Sequence, residues 1–428
     1  MYSRPVLAYL SPLARACTLL GVAGLLATAA PGCRGPTLPS EAIEPVILGA
    51  VLPLTGGGLE GDGPFYRDAM LLAVREINAA GGVLGGRRIE LIVGDSEDNP
   101  VTAAAEAQRL IDAGAVAILG DASSSGSIRI YEDVTGPMRI PQISCTSTST
   151  SLTNANRDLP AADRFFFRTA PPDQLQATAV VQVATDVATC TSPALLYQND
   201  EYGGPLHDLI EQAFAGRGTT LVASVPFEPG ASSFTTEIGM VRAAMPDCIV
   251  LLTYPPDAGD ILRAWDLATP AMPVTWVGTD ALYTSTLVRE AGNMSLIDGF
   301  VGTAPSTTPM LSEFTDFEDR LRSVYGTNAQ PFQSNCYDAA AILMLAIAQA
   351  GSTDGEAIRD ALYLLQSGTE VSPGALAEGL ARIQDDRTIN YEGASGSVDF
   401  DEFGDVVSAY VVWEYSASTM SFSETELR

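Results

Sequence analysis

Hydroxyl side chains follow several apolar segments of this sequence at the points where those segments end. Three serines, 123–125, come after AVAILGD (115–121), and TSTSTS (146–151) comes after RIPQISC (139–145). Hydroxyls of this kind can attack a carbonyl beside a histidine base, or hold a small polar ligand by hydrogen bonds. They are also frequent in turns and helix caps. The sequence therefore offers three interpretations: a nucleophile, a ligand clamp, or local capping.

A nucleophilic serine has little support elsewhere in the sequence. The base of a serine hydrolase is a histidine, and the only histidine is His207. It falls in a predicted amphipathic helix over 203–216, where a solvated side chain is expected. The GxSxG turn of hydrolases is absent from the sequence. GGVLGG (81–86) resembles a nucleotide loop but precedes a strand, which is the wrong order. We therefore expect no enzymatic activity.

The charged residues exclude further classes of function. All 23 basic residues are arginine, so no lysine is available for a Schiff base or a phosphate-binding loop. The formal net charge of −29 argues against a nucleic-acid partner, because phosphates need a basic surface. With one histidine and no CxxC spacing, we expect neither a metal site nor a cofactor.

Polar residues also follow apolar segments in the second half of the chain. Tyr202 lies past ALLYQN, Tyr254 ends CIVLLTY, and Asp280 comes two residues after VTWVG. In open α/β sheets, ligands bind beyond the carboxyl ends of the parallel strands. Hydroxyls and a carboxylate at such ends predict a cleft for a small polar molecule. The alternatives are that Tyr254 only packs and that Asp280 only caps a helix.

Apolar strands alternate with amphipathic helices along most of the chain, which predicts parallel sheets covered by helices on both faces. RFFFRTAPP (164–172) interrupts the alternation and a second set begins, so we expect two doubly wound α/β lobes. A helix is predicted over 64–79 from apolar residues at helical spacing. The predicted strands are 46–52, 89–95, 115–121 and 139–145 in the first set, and 194–199, 220–225, 248–254 and 274–278 in the second. Later strands are predicted at 396–400 and 406–413, after a mostly helical stretch over 311–385.

The first 33 residues have the pattern of an export signal. Arg4 and Arg15 precede the apolar stretch TLLGVAGLLATAA, which is too short to span a membrane and ends near Cys33. AAPGC resembles the lipobox of bacterial lipoproteins, in which the cysteine carries the lipid; a plain cleaved signal is the alternative. We expect a signal peptide over 1–33, a tether over 34–45, and an exported protein that meets the membrane only through this anchor.

Four cysteines remain beyond Cys33, and an exported chain can pair them. Cys190 and Cys248 each stand at the start of a predicted second-lobe strand. Because neighbouring parallel strands begin at a similar height in a sheet, we expect a disulfide between these two. Cys145 and Cys336 receive no assignment.

One long segment resembles the N-terminal signature of type I periplasmic binding proteins of the leucine/isoleucine/valine-binding class: ILGAVLPLTGGGLEGDGPFYRDAMLLAVREINAAGGVLGGRRIELIVGDSEDNP. Later segments resemble the same family in the same order: FFFRTAPPDQLQA, YQNDEYGG, CYDAAAILMLA and GSVDFDEFGD. The resemblance runs from about residue 46 to residue 413. It implies one lobe made of 46–168 plus 304–395 and a second made of 169–303 plus 396–428, joined by a hinge of three crossings.

The resemblance also implies which side chains hold the ligand. The serine of the first-lobe loop binds the ligand carboxylate, and the two threonines bind both its carboxylate and its α-ammonium group. The tyrosine closes from the second lobe, and the aspartate replaces a family glutamate that pairs with the ammonium. The matching positions here are Ser124 with Ser123 as its neighbour, Thr146, Thr148, Tyr202 and Asp280.

The implied function is capture of an amino acid or similar small polar ligand by a monomer outside the cytoplasm, and its delivery to an ABC transporter permease. A sensing module that reports the same ligand to a partner protein would use the same cleft and is the alternative. Glu60 falls near a position of the family's side-chain pocket. Pointing inward it would favour a polar or cationic ligand; otherwise it is solvated.

Overall fold

A computed structural model of the protein describes residues 43–306 and 312–427. The predicted signal peptide, Cys33 and the first part of the predicted tether lie outside the described residues. The rest of the chain is organised around two separate, mainly parallel sheets.

The first lobe is built on five parallel strands in the doubly wound order 2-1-3-4-5. They are β1 Val46–Leu52, β2 Ile89–Asp95, β3 Ala115–Gly120, β4 Gln142–Ser144 and β5 Phe166–Arg168. The connecting helices are α1 Gly63–Ala79, α2 Pro100–Asp112, α3 Ser124–Ile130, α4 Gly136–Met138 and α5 Thr150–Arg157. The strand order reverses between β1 and β3, so the loops after these strands flank a crevice.

The second lobe repeats this order with the next five strands. After the helix α6 Asp173–Gln182 come β6 Pro193–Gln198, α7 Gly203–Gly216, β7 Ala223–Phe227, α8 Thr235–Ala243, β8 Cys248–Leu252, α9 Pro255–Leu267, β9 Thr275–Gly278, α10 Ser285–Ala291 and β10 Val301–Pro305. Neighbouring strands run parallel from β7 through β6, β8 and β9 to β10. Two lobes of the same winding agree with the fold expected from the sequence.

The chain then returns to the first lobe. The returning elements are α11 Ser312–Tyr325, α12 Gln333–Ala350, α13 Gly355–Leu362, β11 Thr369–Val371, α14 Leu376–Gln384, β12 Ile389–Gly393 and β13 Gly396–Ser397. Helix α12 packs on α1 and is buried from Gln333 to Ile347, which makes it the central helix of this lobe.

The end of the chain completes the second sheet. Strands β14 Tyr410–Ser416 and β15 Ser421–Glu426 add antiparallel to β10 and to each other. The strand predicted over 396–400 is only β13, which pairs with β12 in a small sheet of the first lobe. Since Val398, Phe400 and Val406 also belong to the first-lobe core, we propose that the last crossing lies at 407–409, later than the expected boundary at 395.

The structure contains two disulfides. Cys190 is joined to Cys248 with a Cα–Cα distance of 5.7 Å, at the start of the paired strands β6 and β8, as the strand argument expects. Cys145 is joined to Cys336 with a Cα–Cα distance of 4.8 Å, across 191 residues of sequence. The second bond links β4 to α12 and had no signal in the sequence.

Among the described residues, no single helix combines the length and apolarity that a membrane crossing requires. Taken together, α12 and the helical segment that ends at Leu365 have the required length and apolarity, but the angle between them is 113°. Because α12 is buried within the first lobe, core packing accounts for its apolar character.

Candidate functional site

The loops that follow the strands of both lobes meet in a cleft. Five of the six residues proposed to bind ligand line it, namely Ser124, Thr146, Thr148, Tyr202 and Asp280. The remaining lining residues are Leu59, Asp62, Tyr66, Ala122, Tyr254, Ala281, Tyr283, Thr284, Pro331 and Phe332. The cleft therefore combines an apolar surface with a few converging polar groups, as small-molecule sites do.

The first-lobe wall carries hydroxyls at the ends of β3 and β4. Ser124 is the first residue of α3, and its Oγ accepts a hydrogen bond of 3.3 Å from the Ser149 amide. The Thr146 hydroxyl donates to the Ala122 carbonyl at 2.6 Å, which ties the loop after β4 to the loop after β3. Together with Thr148, these residues present neutral hydrogen-bonding groups to the cleft.

Ser123 makes hydrogen bonds within its own loop. Its Oγ accepts a hydrogen bond from the Gly126 amide at 3.1 Å and donates to Asp121 at 3.0 Å. It is the N-cap of α3 and lies outside the lining of the cleft. The run of three serines thus contains a cleft residue, Ser124, and a capping residue, Ser123, which lines a second cavity between the lobes together with Ser125 and Asp200. A ligand contact by Ser123 stays a prediction.

The second-lobe wall is centred on Asp280. Its Oδ1 accepts hydrogen bonds from the Ala281 amide at 2.9 Å and from the Tyr202 hydroxyl at 3.3 Å. The Tyr202 ring stacks on Tyr254 with ring centroids 5.2 Å apart, and its hydroxyl lies 2.7 Å from that of Thr279. Asp280 is held by fixed donors, so its carboxylate has a defined direction at the cleft wall.

The electrostatics of the cleft favour a cation. Two carboxylates line it, Asp62 and Asp280, and the described lining residues include no arginine or histidine. Asp280 is only 4% exposed, and its burial raises the pKa of the carboxyl to about 6. A carboxylate buried in this way is stable when paired with a positive group, and an ammonium ion is such a partner.

A second buried acid lies nearby and was missed from the sequence. Asp173 begins α6, directly after the first crossing, and its side chain is fully buried. Among the described residues, neither of its carboxylate oxygens makes a hydrogen bond of good geometry, although the Thr148 hydroxyl lies close enough to lower its pKa. Burial raises the pKa of Asp173 to about 8, and the charge of Asp280 adds to the rise. Acids are common in the first turn of a helix because they interact favourably with the helix dipole. The sequence alone therefore does not identify Asp173 as a residue near the site.

A third acid joins the two lobes across the cleft. Asp62 Oδ1 accepts hydrogen bonds from the hydroxyls of Thr284 at 2.9 Å and Thr286 at 3.3 Å, both on the second lobe. Glu60, considered for the side-chain pocket, is exposed instead, so Asp62 is the acid that this loop contributes to the cleft.

Two further hydrogen bonds cross between the lobes. The Ser125 hydroxyl donates to Asp200 at 3.2 Å, and the Ser151 hydroxyl donates to Glu201 at 2.8 Å. With the contacts of Asp62, these bonds define a closed arrangement of the lobes.

The apolar residues of the cleft come from two segments of the first lobe that are far apart in sequence. Leu59 and Tyr66 follow β1, whereas Pro331 and Phe332 immediately precede α12. Phe332 holds a left-handed backbone conformation with φ of 63°, which is rare for a bulky residue and costs conformational energy. No local pattern marks Phe332 as a site residue, because only the tertiary fold brings it to the β1 loop.

His207 lies outside the cleft lining and is not solvated as expected. Its ring stacks on Tyr197 with centroids 4.2 Å apart, and its Nε2 lies 2.6 Å from the Ser224 hydroxyl. The histidine therefore has a packing role on the second lobe.

Comparison with known proteins agrees with this architecture. Residues 66–418 match the family described as receptor family ligand binding region. The chain is 28% identical over 86% of its length to a chemotactic signal transduction system substrate-binding protein, BasB, of Halobacterium salinarum, and covers 86% of that protein. It is 25% identical over 92% of its length to an amino acid binding protein of Pseudomonas aeruginosa, and covers 95% of it.

Solved structures show the same fold. The leucine-binding protein LivK of Thermotoga maritima superposes with a TM-score of 0.74 at 22% identity, over 89% of this chain and 97% of that one. A type 1 periplasmic binding protein of Bordetella pertussis superposes with a TM-score of 0.75 at 22% identity, over 90% of this chain and all of that one. The fold is that of type I periplasmic binding proteins, and the chain belongs to the receptor ligand-binding-region family.

Proposed function

We propose that the protein captures an L-amino acid between its two lobes. The observation that carries this proposal is the pairing of a buried carboxylate, Asp280, with neutral hydroxyls on the opposite wall. An α-ammonium group would neutralise Asp280, with Tyr202 beside it. The ligand carboxylate would bind to Ser124 and Thr148, because neutral donors can hold it without another buried charge. The Thr146 hydroxyl donates to the Ala122 carbonyl and would accept a hydrogen bond from the ammonium group. The apolar wall would then receive the side chain.

The relatives support this ligand class. An amino acid binding protein covers nearly the whole chain, and a leucine-, isoleucine-, valine-, threonine- and alanine-binding protein of Pseudomonas aeruginosa is 22% identical over 88% of it. The family and fold are those of binding proteins, which agrees with a role in capture and not in catalysis.

We further propose that the exported protein delivers its ligand to the permease of an ABC importer. The alternative, a sensor that reports ligand to a partner, is favoured by the chemotactic relative. Uptake of radiolabelled amino acid and chemotaxis toward it, compared in cells with and without the protein, separate the two roles.

Anchoring at Cys33 is part of the same proposal. Cys33→Ser should move the protein from the membrane to the soluble fraction.

The direct test of capture is a thermal-unfolding screen of the purified protein against the L-amino acids. A ligand present at about 100 times its Kd should stabilise the protein by roughly 2.7 kcal/mol. The matched controls are the 2-hydroxy acids of the same side chains, which lack the ammonium group and should give no shift. A screen in which no amino acid shifts the unfolding temperature would contradict the proposal.

A further inference from the structure

The disulfide between Cys145 and Cys336 lies directly behind the cleft. Cys145 follows β4 and is the immediate neighbour of Thr146, a cleft residue. Cys336 is in the first turn of α12, and its amide donates to the carbonyl of Phe332, another cleft residue, at 2.9 Å. Both cysteines are buried. The crosslink therefore joins two cleft-lining segments that are far apart in sequence.

The loop that follows Cys145 is hydrogen-bonded to the loop that follows β3. The Thr146 hydroxyl is bonded to the Ala122 carbonyl and the Ser149 amide to the Ser124 hydroxyl. A displacement of the loop after β4 would therefore also move the cleft serine. The hydroxyls proposed to hold the ligand carboxylate are therefore positioned by the same two hydrogen-bonded loops.

The segment on the Cys336 side is held in an unfavourable conformation. Phe332 has a positive φ at the N-terminus of α12, and such a conformation persists only where surrounding structure enforces it. The crosslink one turn later is one source of that constraint. A second is the pair of hydrogen bonds between Asn335 and Thr169, of 2.7 and 2.8 Å, which fixes the same turn to the first crossing.

We propose that the Cys145–Cys336 disulfide is a positioning element of the ligand site: it fixes the hydroxyl wall relative to the Phe332 wall and thereby sets ligand affinity. This inference rests on the proposed amino-acid binding. The other disulfide provides a contrast, because Cys190 and Cys248 stand at the amino ends of β6 and β8. The cleft lies at the carboxyl ends of the strands, so that bond can stabilise its lobe without touching the site.

The test compares two double variants, Cys145→Ala/Cys336→Ala and Cys190→Ala/Cys248→Ala. The probe is the L-amino acid that shifts the unfolding temperature most in the screen above, and the measurement is its Kd by calorimetry. We expect Kd to rise at least about tenfold in the first variant, as for the loss of one to two ligand hydrogen bonds, and to stay within about threefold of wild type in the second. Circular dichroism should show both variants folded.

Hydrogen exchange without any amino acid gives a second, independent readout. In Cys145→Ala/Cys336→Ala, amides 146–149 and 333–336 should exchange faster, whereas those of the second half of α12 should not change. Equal affinities in the two variants would overturn the inference, as would a Cys145→Ala/Cys336→Ala protein that does not fold, because the bond would then serve global stability. If the wild-type protein binds no amino acid, the proposed function fails instead.

Discussion

At the scale of single residues, the two buried acids Asp280 and Asp173 should make binding depend on pH. Burial raises the pKa of Asp280 to about 6, so at low pH this carboxyl holds a proton that an ammonium ligand must displace. The pKa of Asp173, about 8, is raised by burial and by the charge of Asp280, so neutralising that charge lowers it and releases a further proton. Binding therefore releases protons, and affinity should rise as pH rises. Each displaced proton contributes up to about tenfold per pH unit.

The corresponding measurement is Kd of the bound amino acid from about pH 5 to about pH 8, the window set by the two pKa values. Asp173→Asn should abolish the change of Kd with pH between about pH 6 and about pH 8 and leave the change of Kd at lower pH. The charged neighbours on the packed elements are Arg168, which lowers the pKa of Asp173, and Asp280 itself. Affinity that is constant or falls with rising pH would contradict the ammonium-pairing account.

Neighbouring serines in the same run should respond differently to substitution. Ser123→Ala removes the N-cap of α3 and should lower the free energy of unfolding by about 1 kcal/mol with little effect on affinity. Ser124→Ala removes a hydroxyl of the cleft wall and should weaken binding by roughly tenfold or more, as for a hydrogen bond to a charged group. Urea denaturation and calorimetry on both variants check this; equal effects on affinity would mean that Ser123 also contacts ligand.

Sequence patterns found the site residues that directly follow apolar strands and missed the others. Thr146 and Asp280 stand one or two residues after the strand region, where the parallel-sheet rule places ligands. Phe332 follows no strand of the central sheets, and the return of the chain to the first lobe brings it to the cleft. Asp173 begins α6 after the first crossing, which places it beside the cleft residue Thr148. Their positions depend on tertiary contacts that no local spacing encodes.

At the scale of elements, a buried ion pair links the end of β5 to the segment that precedes the proposed last crossing. Arg168 at the end of β5 is fully buried and donates to Asp405 at 2.7 Å, and Thr153 of α5 donates to the same carboxylate at 2.7 Å. Asp405→Asn should cost about 3–5 kcal/mol of stability, because it leaves the buried guanidinium without a counter-charge. Asp319→Asn, which breaks an exposed pair with Arg322, is the control.

Urea denaturation measures both variants. The control should lie within about 1 kcal/mol of wild type, as exposed ion pairs do. A loss for Asp405→Asn no larger than for Asp319→Asn would mean that this pair does not hold these two segments together.

The predicted bounds are accurate for some strands and shifted for others. Strands β1 and β2 have the predicted bounds, 46–52 and 89–95, whereas β4 is confined to Gln142–Ser144 within the predicted 139–145. Strand β7 is an edge strand whose residues alternate between buried and exposed, and its prediction was three residues early at the start. Of the sheet of β11 to β13, only the strand over 396–400 was predicted, because strands of two to five residues carry little periodicity.

At the scale of the whole molecule, lobe closure should depend on Asp62. It accepts hydrogen bonds from Thr284 and Thr286 across the cleft and makes no side-chain capping bond to α1. Asp62→Ala should therefore favour the open arrangement and speed amino-acid dissociation by roughly tenfold, the value of one charged hydrogen bond. Asp68→Ala changes a half-buried acid of α1 that pairs with Arg67 and lies outside the cleft lining, so it should leave the rate unchanged. Identical dissociation rates in the two variants would contradict this role.

The two-lobed plan could be predicted from the sequence because the alternation of strands and helices is regular and interrupted once, at RFFFRTAPP. The contacts between segments that are far apart in sequence could not be predicted. The Cys145–Cys336 bond spans 191 residues, and we propose a last crossing later than the boundary at 395 that the resemblance implied. Such features depend on how the returning helices pack, above all on α12.

The central claim, that Asp280 pairs with the ammonium group of an amino acid held between the lobes, is tested most directly by one calorimetric comparison. Wild type and Asp280→Asn are titrated with the amino acid selected by the screen and with its 2-hydroxy acid. Removing one member of a buried charge pair costs roughly 2–5 kcal/mol, so Kd for the amino acid should rise by about 30-fold or more. The wild-type protein should bind the hydroxy acid as weakly as the variant binds the amino acid. An Asp280→Asn protein that is folded and binds within about threefold of wild type would contradict the claim.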